Sequence, residues 1–263
     1  PPRSTLFPYT TLFRSSEGSV RLSGRNFENA GDVLSGGGRF GFSGGSLSNL
    51  GRIVAVQGEV AGGLDNRGTL YSDALTVSGY AFNGGTVAGG SLAFDGGLLN
   101  AGRIAAADVS ASGLVSNAGD ITGDRVSLYG PDVYNYGLVS AGRLGIQTVQ
   151  LGNSGTLSAG SLDAYVGGTF ANAGRVVVAG DARITALGGF ANQLTEMSRC
   201  VTPKVCNPSP GSTPPRAPDP DKDFRFVQSP AVLAVGGGLS LSGGNVDNRG
   251  LIQAGRIDIG IGN

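Results

Sequence analysis

The residues of this chain that could do chemistry are few, and most lie in one proline-rich stretch. Cys200 and Cys206 are the only cysteines among 263 residues. Their separation permits a small disulfide ring in a flexible loop, which would be the natural use of an isolated pair in an exported protein. Free structural thiols are the alternative. With no His anywhere in the chain, the two thiolates cannot close a zinc site, so we predict no metal site.

Three acidic residues alternate in the same stretch, at Asp219, Asp221 and Asp223. Their spacing resembles the start of a calcium-binding loop, but the sixth position is Phe224 rather than Gly and the twelfth is Pro230 rather than Glu. We therefore favour a solvated acidic loop over a calcium site.

Candidate recognition residues are basic. Three arginines each follow the Asn of a repeated motif by three residues: Arg52, Arg103 and Arg175. Asp32 and Asp120 stand at the same position in other repeats, so the mixed row is best explained as a soluble outward face. A recognition stripe for acidic glycans is the alternative. The only lysines, Lys204 and Lys222, lie in the proline-rich stretch and are the other candidates.

The composition gives catalysis and nucleic-acid binding little support. Nineteen basic residues balance nineteen acidic ones, so no net charge draws the chain to nucleic acid or to an anionic membrane. No window of about 18 apolar residues could span a bilayer. The absence of His removes the commonest general base and a leading metal ligand. We predict a non-enzymatic protein without a cofactor.

The elements that must position these residues repeat at a nearly constant interval. An Asn is followed after two residues by Gly and after four by an aliphatic residue, in steps of 17 to 20 residues. The Asn residues of this motif are Asn29, Asn49, Asn66, Asn83, Asn100, Asn117, Asn135, Asn153, Asn172 and Asn248, with a degenerate copy at Asn192. Such a period without helix-forming stretches predicts a β-solenoid with one coil per repeat.

Each repeat carries three clusters of apolar positions that we expect to face inward. They lie four residues after the Asn, at the alternating pair nine and eleven residues after it, and two residues before it. The alternating pair runs from Leu75 and Val77 to Ile257 and Ile259. These positions predict about three short strands per coil, stacked in parallel. The coils lack the six-residue subrepeat of left-handed β-helices, so we predict an all-β, right-handed parallel β-helix of about eleven coils.

The Asn and Gly of the motif are expected to form the corners. The Gly would supply either a positive φ or room at a crowded turn. The Asn would adopt the left-handed region or bond to neighbouring backbone, and stacked identical amides can form a ladder along the axis. We favour this structural role over a ligand-binding row of Asn.

The repeat pattern divides the chain into four parts. Residues 1–16 contain no Gly and no repeat motif, and we interpret them as a foreign or artefactual leader rather than a signal peptide. Coils are predicted over residues 17–193. Residues 194–230 hold eight of the twelve prolines, which should prevent regular pairing and form a lateral insertion loop. Coils resume over residues 231–263, where the array is expected to be truncated.

The segments Leu98-Leu99-Asn100-Ala101-Gly102-Arg103-Ile104-Ala105-Ala106 and Phe170-Ala171-Asn172-Ala173-Gly174-Arg175-Val176 resemble repeats of filamentous haemagglutinin-like exoproteins. This family includes large adhesins and the stalks of contact-dependent growth-inhibition toxins. The resemblance covers about residues 28–193 and 231–259. It implies a right-handed parallel β-helix exported by two-partner secretion, through an outer-membrane transporter, to the surface of a Gram-negative bacterium. Neither the family's amino-terminal secretion domain nor a toxin domain is found, so we expect a fragment of a longer rod.

Our leading hypothesis is a non-catalytic rod segment of a secreted surface adhesin, with a host-cell or bacterial receptor or glycan as its partner. The stalk of a contact-dependent growth-inhibition toxin is one alternative. A carbohydrate-active β-helix enzyme of the pectate-lyase or glycosidase kind is another, because fold alone does not settle function. The repeats have few acids and short coils, and no acid pair recurs on one face, which disfavours the enzyme.

Overall fold

The computed structural model describes residues 13–15, 18–200 and 224–262. Every regular element in these ranges is a β-strand. The strands are β1 (Phe13–Ser15), β2 (Val20–Asn29), β3 (Asp32–Asn49), β4 (Arg52–Asn66), β5 (Thr69–Val77), β6 (Ala81–Asn83), β7 (Thr86–Phe94), β8 (Leu98–Asn100), β9 (Arg103–Ser112), β10 (Val115–Asn117), β11 (Asp120–Asn135), β12 (Leu138–Asn153), β13 (Thr156–Val166), β14 (Thr169–Asn172), β15 (Arg175–Val178), β16 (Ala182–Ala186), β17 (Gly189–Asn192), β18 (Leu194–Cys200), β19 (Phe224–Pro230), β20 (Val232–Gly243), β21 (Val246–Asn248) and β22 (Leu251–Ile261).

Twenty of these strands form one parallel sheet that winds into a β-solenoid of about 12 coils. Each coil pairs with the coil before and after it in the register of the sequence repeat. Ile104, for example, lies between Val87 and Ile121. At about 4.8 Å per coil, the stack is on the order of 50 Å long. The predicted parallel β-solenoid is therefore confirmed, and its right-handed sense stays a prediction.

The core consists of the predicted inward rows. The aliphatic residue four positions after each motif Asn is buried in every coil from Val33 to Val176. In the last coil Ile257 and Ile259 keep the register of Leu239 and Leu241 but are 47% and 45% exposed. Their exposure follows from the stacking principle, because a coil buries its apolar face only when another coil covers it.

The corner glycines are required by crowding rather than by backbone conformation. The described glycines with positive φ are Gly97, Gly113, Gly130 and Gly189, and none of them belongs to the repeated motif. A Cβ on Gly102 would instead overlap the carbonyl oxygen of Gly85 in the preceding coil. Of the two roles predicted for this glycine, the crowded corner is the one observed.

The solenoid begins earlier than the repeat motif indicates. Strand β1 pairs in parallel with the start of β3, with Phe13 opposite Val33 and Ser15 opposite Ser35. These residues fall within the segment 1–16 that the sequence analysis assigns to a non-repeat leader. This strand was not predicted because the segment lacks the repeat motif, yet its Phe13 is in register with Val33 of the first inward row.

The proline-rich insertion leaves the solenoid at one corner. Ala231 donates its backbone N–H to the carbonyl of Gln193 at 2.9 Å, so the two ends of the insertion meet. Val232 then pairs with Arg175, and the stack continues in register. The insertion therefore interrupts one coil without displacing the next.

Regular pairing does occur at the base of this insertion, where none was predicted. Strands β18 and β19 form an antiparallel ladder from Leu194 opposite Pro230 to Cys200 opposite Phe224. The physical reason is the distribution of proline: the seven other prolines of the stretch lie at positions 203 to 220, between the two strands. A proline removes the N–H donor at its own position only, so residues outside the proline cluster can still pair.

Candidate functional site

The motif Asn residues form a buried ladder and are not available to a ligand. From Asn29 to Asn192 each side chain is buried. Each amide nitrogen donates to the amide oxygen of the next motif Asn, through ten bonds of 2.7 to 2.9 Å ending at Asn248. Most of these amides also donate to a backbone carbonyl of the next coil, as Asn100 does to Asp120 at 3.1 Å. The Asn row is therefore structural, as the sequence analysis favours.

The three arginines singled out in the sequence do not form a contiguous patch. Pairing places Arg52, Arg103 and Arg175 in one exposed longitudinal row. Three coils separate the first two and four coils separate the last two, or roughly 14 and 19 Å. Asp32 and Asp120 lie in coils adjacent to Arg52 and Arg103, so the row is electrostatically mixed.

The other predicted site residues cannot be placed. Cys206, Lys204 and Lys222 and the acidic residues Asp219, Asp221 and Asp223 lie outside the described residues. Cys200 ends β18, but its side chain is not described, so the disulfide stays a prediction. Among the described residues, no three acidic, Cys or His side chains are arranged to hold a metal ion.

A shallow groove crosses the outward face formed by β11, β12, β13, β16, β20 and β22. Strand alternation creates this face: on β12 the buried Leu144 is flanked by the outward Arg143 and Gly145. The groove has a volume of about 740 Å³. Its charged lining residues, which define what we call the axial groove, are Arg125, Arg143, Arg183, Arg256, Asp163, Asp181 and Asp258.

Several charged groups of the axial groove are held by neighbours. Arg125 Nη1 donates to Asp108 Oδ1 at 2.9 Å, from side chains that are 58% and 50% exposed. Arg256 Nη2 donates to Asp258 Oδ2 at 3.3 Å. Exposed pairs of this kind contribute about 0 to 1 kcal/mol to stability. Their main effect is therefore to orient guanidinium and carboxylate groups on the groove surface.

Small residues give the axial groove its depth. A Cβ on Gly145 would lie 3.9 Å from Ser127 Oγ, and one on Gly238 would lie 3.6 Å from Asp181 Oδ1. Both distances are ordinary contacts, and neither glycine has a positive φ. Unlike the corner glycines, these two are not demanded by the backbone, so the depression is a property of the surface rather than of the coil geometry.

Two exposed tyrosines lie on the same outward face as the axial groove. Tyr129 and Tyr165 are 42% and 47% exposed and follow groove residues by two positions, which places them on the same outward face. Register aligns both with Gln147, which lies between them. Two coils therefore separate the rings along the axis, or about 10 Å.

This groove was not predicted from the sequence, although the sequence contains a signal for it. Arg125, Arg143 and Arg256 each stand eight residues after a motif Asn, directly before the alternating apolar pair. In adjacent coils that position places side chains next to one another, as pairing of Arg125 with Arg143 shows. The arginines three residues after the Asn were chosen as candidates instead because they lie closer to the motif.

The axial groove can donate hydrogen bonds from guanidinium groups and accept them at carboxylates and hydroxyls. A proton-transfer role would fall to Asp163, Asp181 or Asp258, since the chain has no His. Asp181 already accepts the backbone N–H of Gly238 at 2.8 Å. The groove therefore offers both hydrogen-bond donors and acceptors to a polar ligand.

No family model, no curated protein and no solved structure matches this chain. Within the described residues no helix could cross a membrane.

Proposed function

We propose that this chain is a non-catalytic segment of a rod on a bacterial surface, where it acts as a rigid scaffold for attachment. The observation that carries the proposal is the unbroken Asn ladder, which runs from Asn29 to Asn248 and continues across the insertion. A rod is useful as a spacer only if its coils keep one register along the whole length.

The ladder supports stiffness because each rung fixes its neighbour. Buried amides satisfy both donors within the stack, and no described buried side-chain polar atom lacks a partner. Sliding one coil against the next would break the Asn–Asn hydrogen bonds and would also expose the apolar rows. Since each coil contacts only its neighbours, stiffness accumulates along the axis.

The same construction suits export of an extended chain. In a solenoid, each completed coil presents a template for the one that follows, so folding can propagate from one end. This behaviour is compatible with passage through an outer-membrane transporter by two-partner secretion and with display on a Gram-negative cell. The proposed partner is a receptor or glycan on a host or bacterial surface.

A carbohydrate-active enzyme is the second candidate, and the axial groove is the observation that favours it. Asp163 and Asp181 line the groove beside Arg183, so carboxylates and a guanidinium do share one face. A reducing-end assay with pectate, xylan and cellulose separates the two proposals. Hydrolysis or cleavage that disappears in Asp163→Asn and Asp181→Asn would overturn the non-catalytic function.

Attachment is tested with fluorescent beads coated with the purified chain. We expect coated beads to adhere to cultured epithelial cells or to Gram-negative bacteria more than beads coated with an unrelated β-solenoid. Equal adherence of the two bead types to both surfaces would contradict the scaffold-for-attachment proposal.

A matched variant locates the recognition surface. Leu194 and Pro230 are cross-strand partners, so Thr195–Ser229 can be replaced by an Asn-Gly turn that closes the ladder. The coils should remain folded, with unchanged circular dichroism. Reduced adherence of this variant would assign recognition to the insertion, and full adherence would assign it to the solenoid faces.

A further inference from the structure

We propose that the axial groove binds a neutral oligosaccharide that lies along the rod axis. This inference rests on the proposed function and deepens it, because it names the chemical class of the glycan and the solenoid face that binds it. Three features support the proposal: the periodicity of the groove, its balanced charge and the exposed tyrosines on the same face.

The axial groove presents similar positions at regular intervals. Arg125 and Arg143 are direct neighbours in adjacent coils, and Gly238 and Arg256 occupy the same row farther along. The interval is the coil rise of about 4.8 Å, which is comparable to the length of one pyranose unit. A chain of sugar units can therefore meet a new set of polar groups at each coil.

The charge of the groove favours a neutral ligand over an acidic one. Its four arginines are matched by its three aspartates together with Asp108, the partner of Arg125. An acidic polymer would bring its own charges against these carboxylates. Sugar hydroxyls instead both donate and accept, so they can use guanidinium donors and carboxylate acceptors side by side.

The tyrosines supply the apolar part of the contact. Tyr129 and Tyr165 lie two residues beyond the groove residues Ser127 and Asp163 on the same outward face, with Gln147 between them. An aromatic ring can pack against the C–H face of a pyranose while its hydroxyl stays hydrated. Gly145 and Ser127 leave the floor low enough for a sugar ring to reach the polar groups.

The test is a binding titration of the full chain with defined hexasaccharides: cellohexaose, maltohexaose and chitohexaose, with a heparin hexasaccharide as the acidic comparator. We expect at least one neutral hexasaccharide to bind more tightly than the heparin fragment. No binding of any neutral probe, or preference for the heparin fragment, would overturn the proposal.

Variants place the binding in the groove. Tyr165→Ala removes an exposed ring, and Gly145→Gln fills the floor at a position that accepts a Cβ. Each should weaken binding of the neutral probe by about tenfold or more. The matched controls Tyr71→Ala and Gly24→Gln alter an exposed tyrosine and an open glycine outside the groove, and they should change affinity by less than about twofold.

Circular dichroism and thermal melting identify a variant that fails to fold. If Gly145→Gln does so, Tyr165→Ala decides alone, because this exposed side chain lies outside the core. Neutral-sugar binding that survives Tyr165→Ala would place the site elsewhere and overturn the proposal. Bead adherence is measured separately, so loss of groove binding with intact adherence would leave the scaffold function standing.

Discussion

Removing one rung of the Asn ladder should destabilise the rod more than any other single polar truncation in the core. We choose Asn100→Ala because this side chain is fully buried in the middle of the array. Its amide oxygen accepts from Asn83 at 2.7 Å, and its nitrogen donates to Asn117 at 2.8 Å and to the carbonyl of Asp120 at 3.1 Å.

The magnitude follows from the groups left behind. In this variant the Asn83 nitrogen loses its bond to Asn100 but retains its bond to the carbonyl of Arg103 at 3.2 Å. The Asn117 oxygen loses the ladder donor shown in the structure. A net hydrogen bond contributes about 1 kcal/mol, and an unsatisfied buried group costs about 1 to 3 kcal/mol. We expect Asn100→Ala to lower the free energy of unfolding by about 3 kcal/mol.

Urea unfolding followed by circular dichroism measures this loss as a shift in the midpoint at an unchanged slope. The control is Asn248→Ala, at an exposed rung that accepts from Asn192 and has no further Asn partner in the ladder. It should cost about 1 kcal/mol. In the double variant Asn100→Ala with Asn117→Ala, the second truncation removes the Asn117 oxygen that the first leaves without a donor. The loss of unfolding free energy in the double variant should therefore be smaller than the sum of the losses in the two single variants. Equal midpoints for Asn100→Ala and Asn248→Ala would refute this reasoning.

Three further predictions test the core, a corner and a surface pair. Ile104→Asp should cost several kcal/mol, about 3 or more, because an unpaired carboxylate would enter the dry core; an unchanged melting temperature would contradict the register. Gly102→Ala should destabilise markedly in urea, whereas Gly145→Ala should be tolerated, since only the former overlaps a carbonyl of the preceding coil. The pKa of Tyr71 is raised by its hydrogen bond to the Asp73 carboxylate and by that group's charge. In Asp73→Asn this pKa should fall toward its ordinary range in an NMR titration, and an unchanged value would show that the contact does not persist in solution.

The coil repeat could be predicted because one motif determines it. The positions of Val33, Ile104 and Val176 relative to their Asn residues predicted buried rows, and the structure buries them. The strand at the base of the insertion was missed because prolines were counted over the whole stretch. The alternation from Phe224 to Phe226 was the local evidence for it.

The axial groove is harder to derive from sequence. It joins residues as distant as Arg125 and Arg256, on either side of the insertion. Their proximity depends on Val232 resuming in register with Arg175, which spacing alone suggests but does not establish. The sequence also does not show that Gly145 has room for a Cβ whereas the corner glycines do not, because glycine is common throughout the chain.

The Asn ladder has a further consequence for the electrical symmetry of the rod. Each amide from Asn29 to Asn192 donates to the next coil, and each amide from Asn49 to Asn248 accepts from the previous one, so the amide dipoles point the same way and add along the axis. Each bond polarises the next. A chain with zero formal net charge thus acquires a directional internal field without using a charged residue. A coil inserted in the reversed sense would set donor against donor at one junction and acceptor against acceptor at the other, so the ladder admits growth in only one orientation.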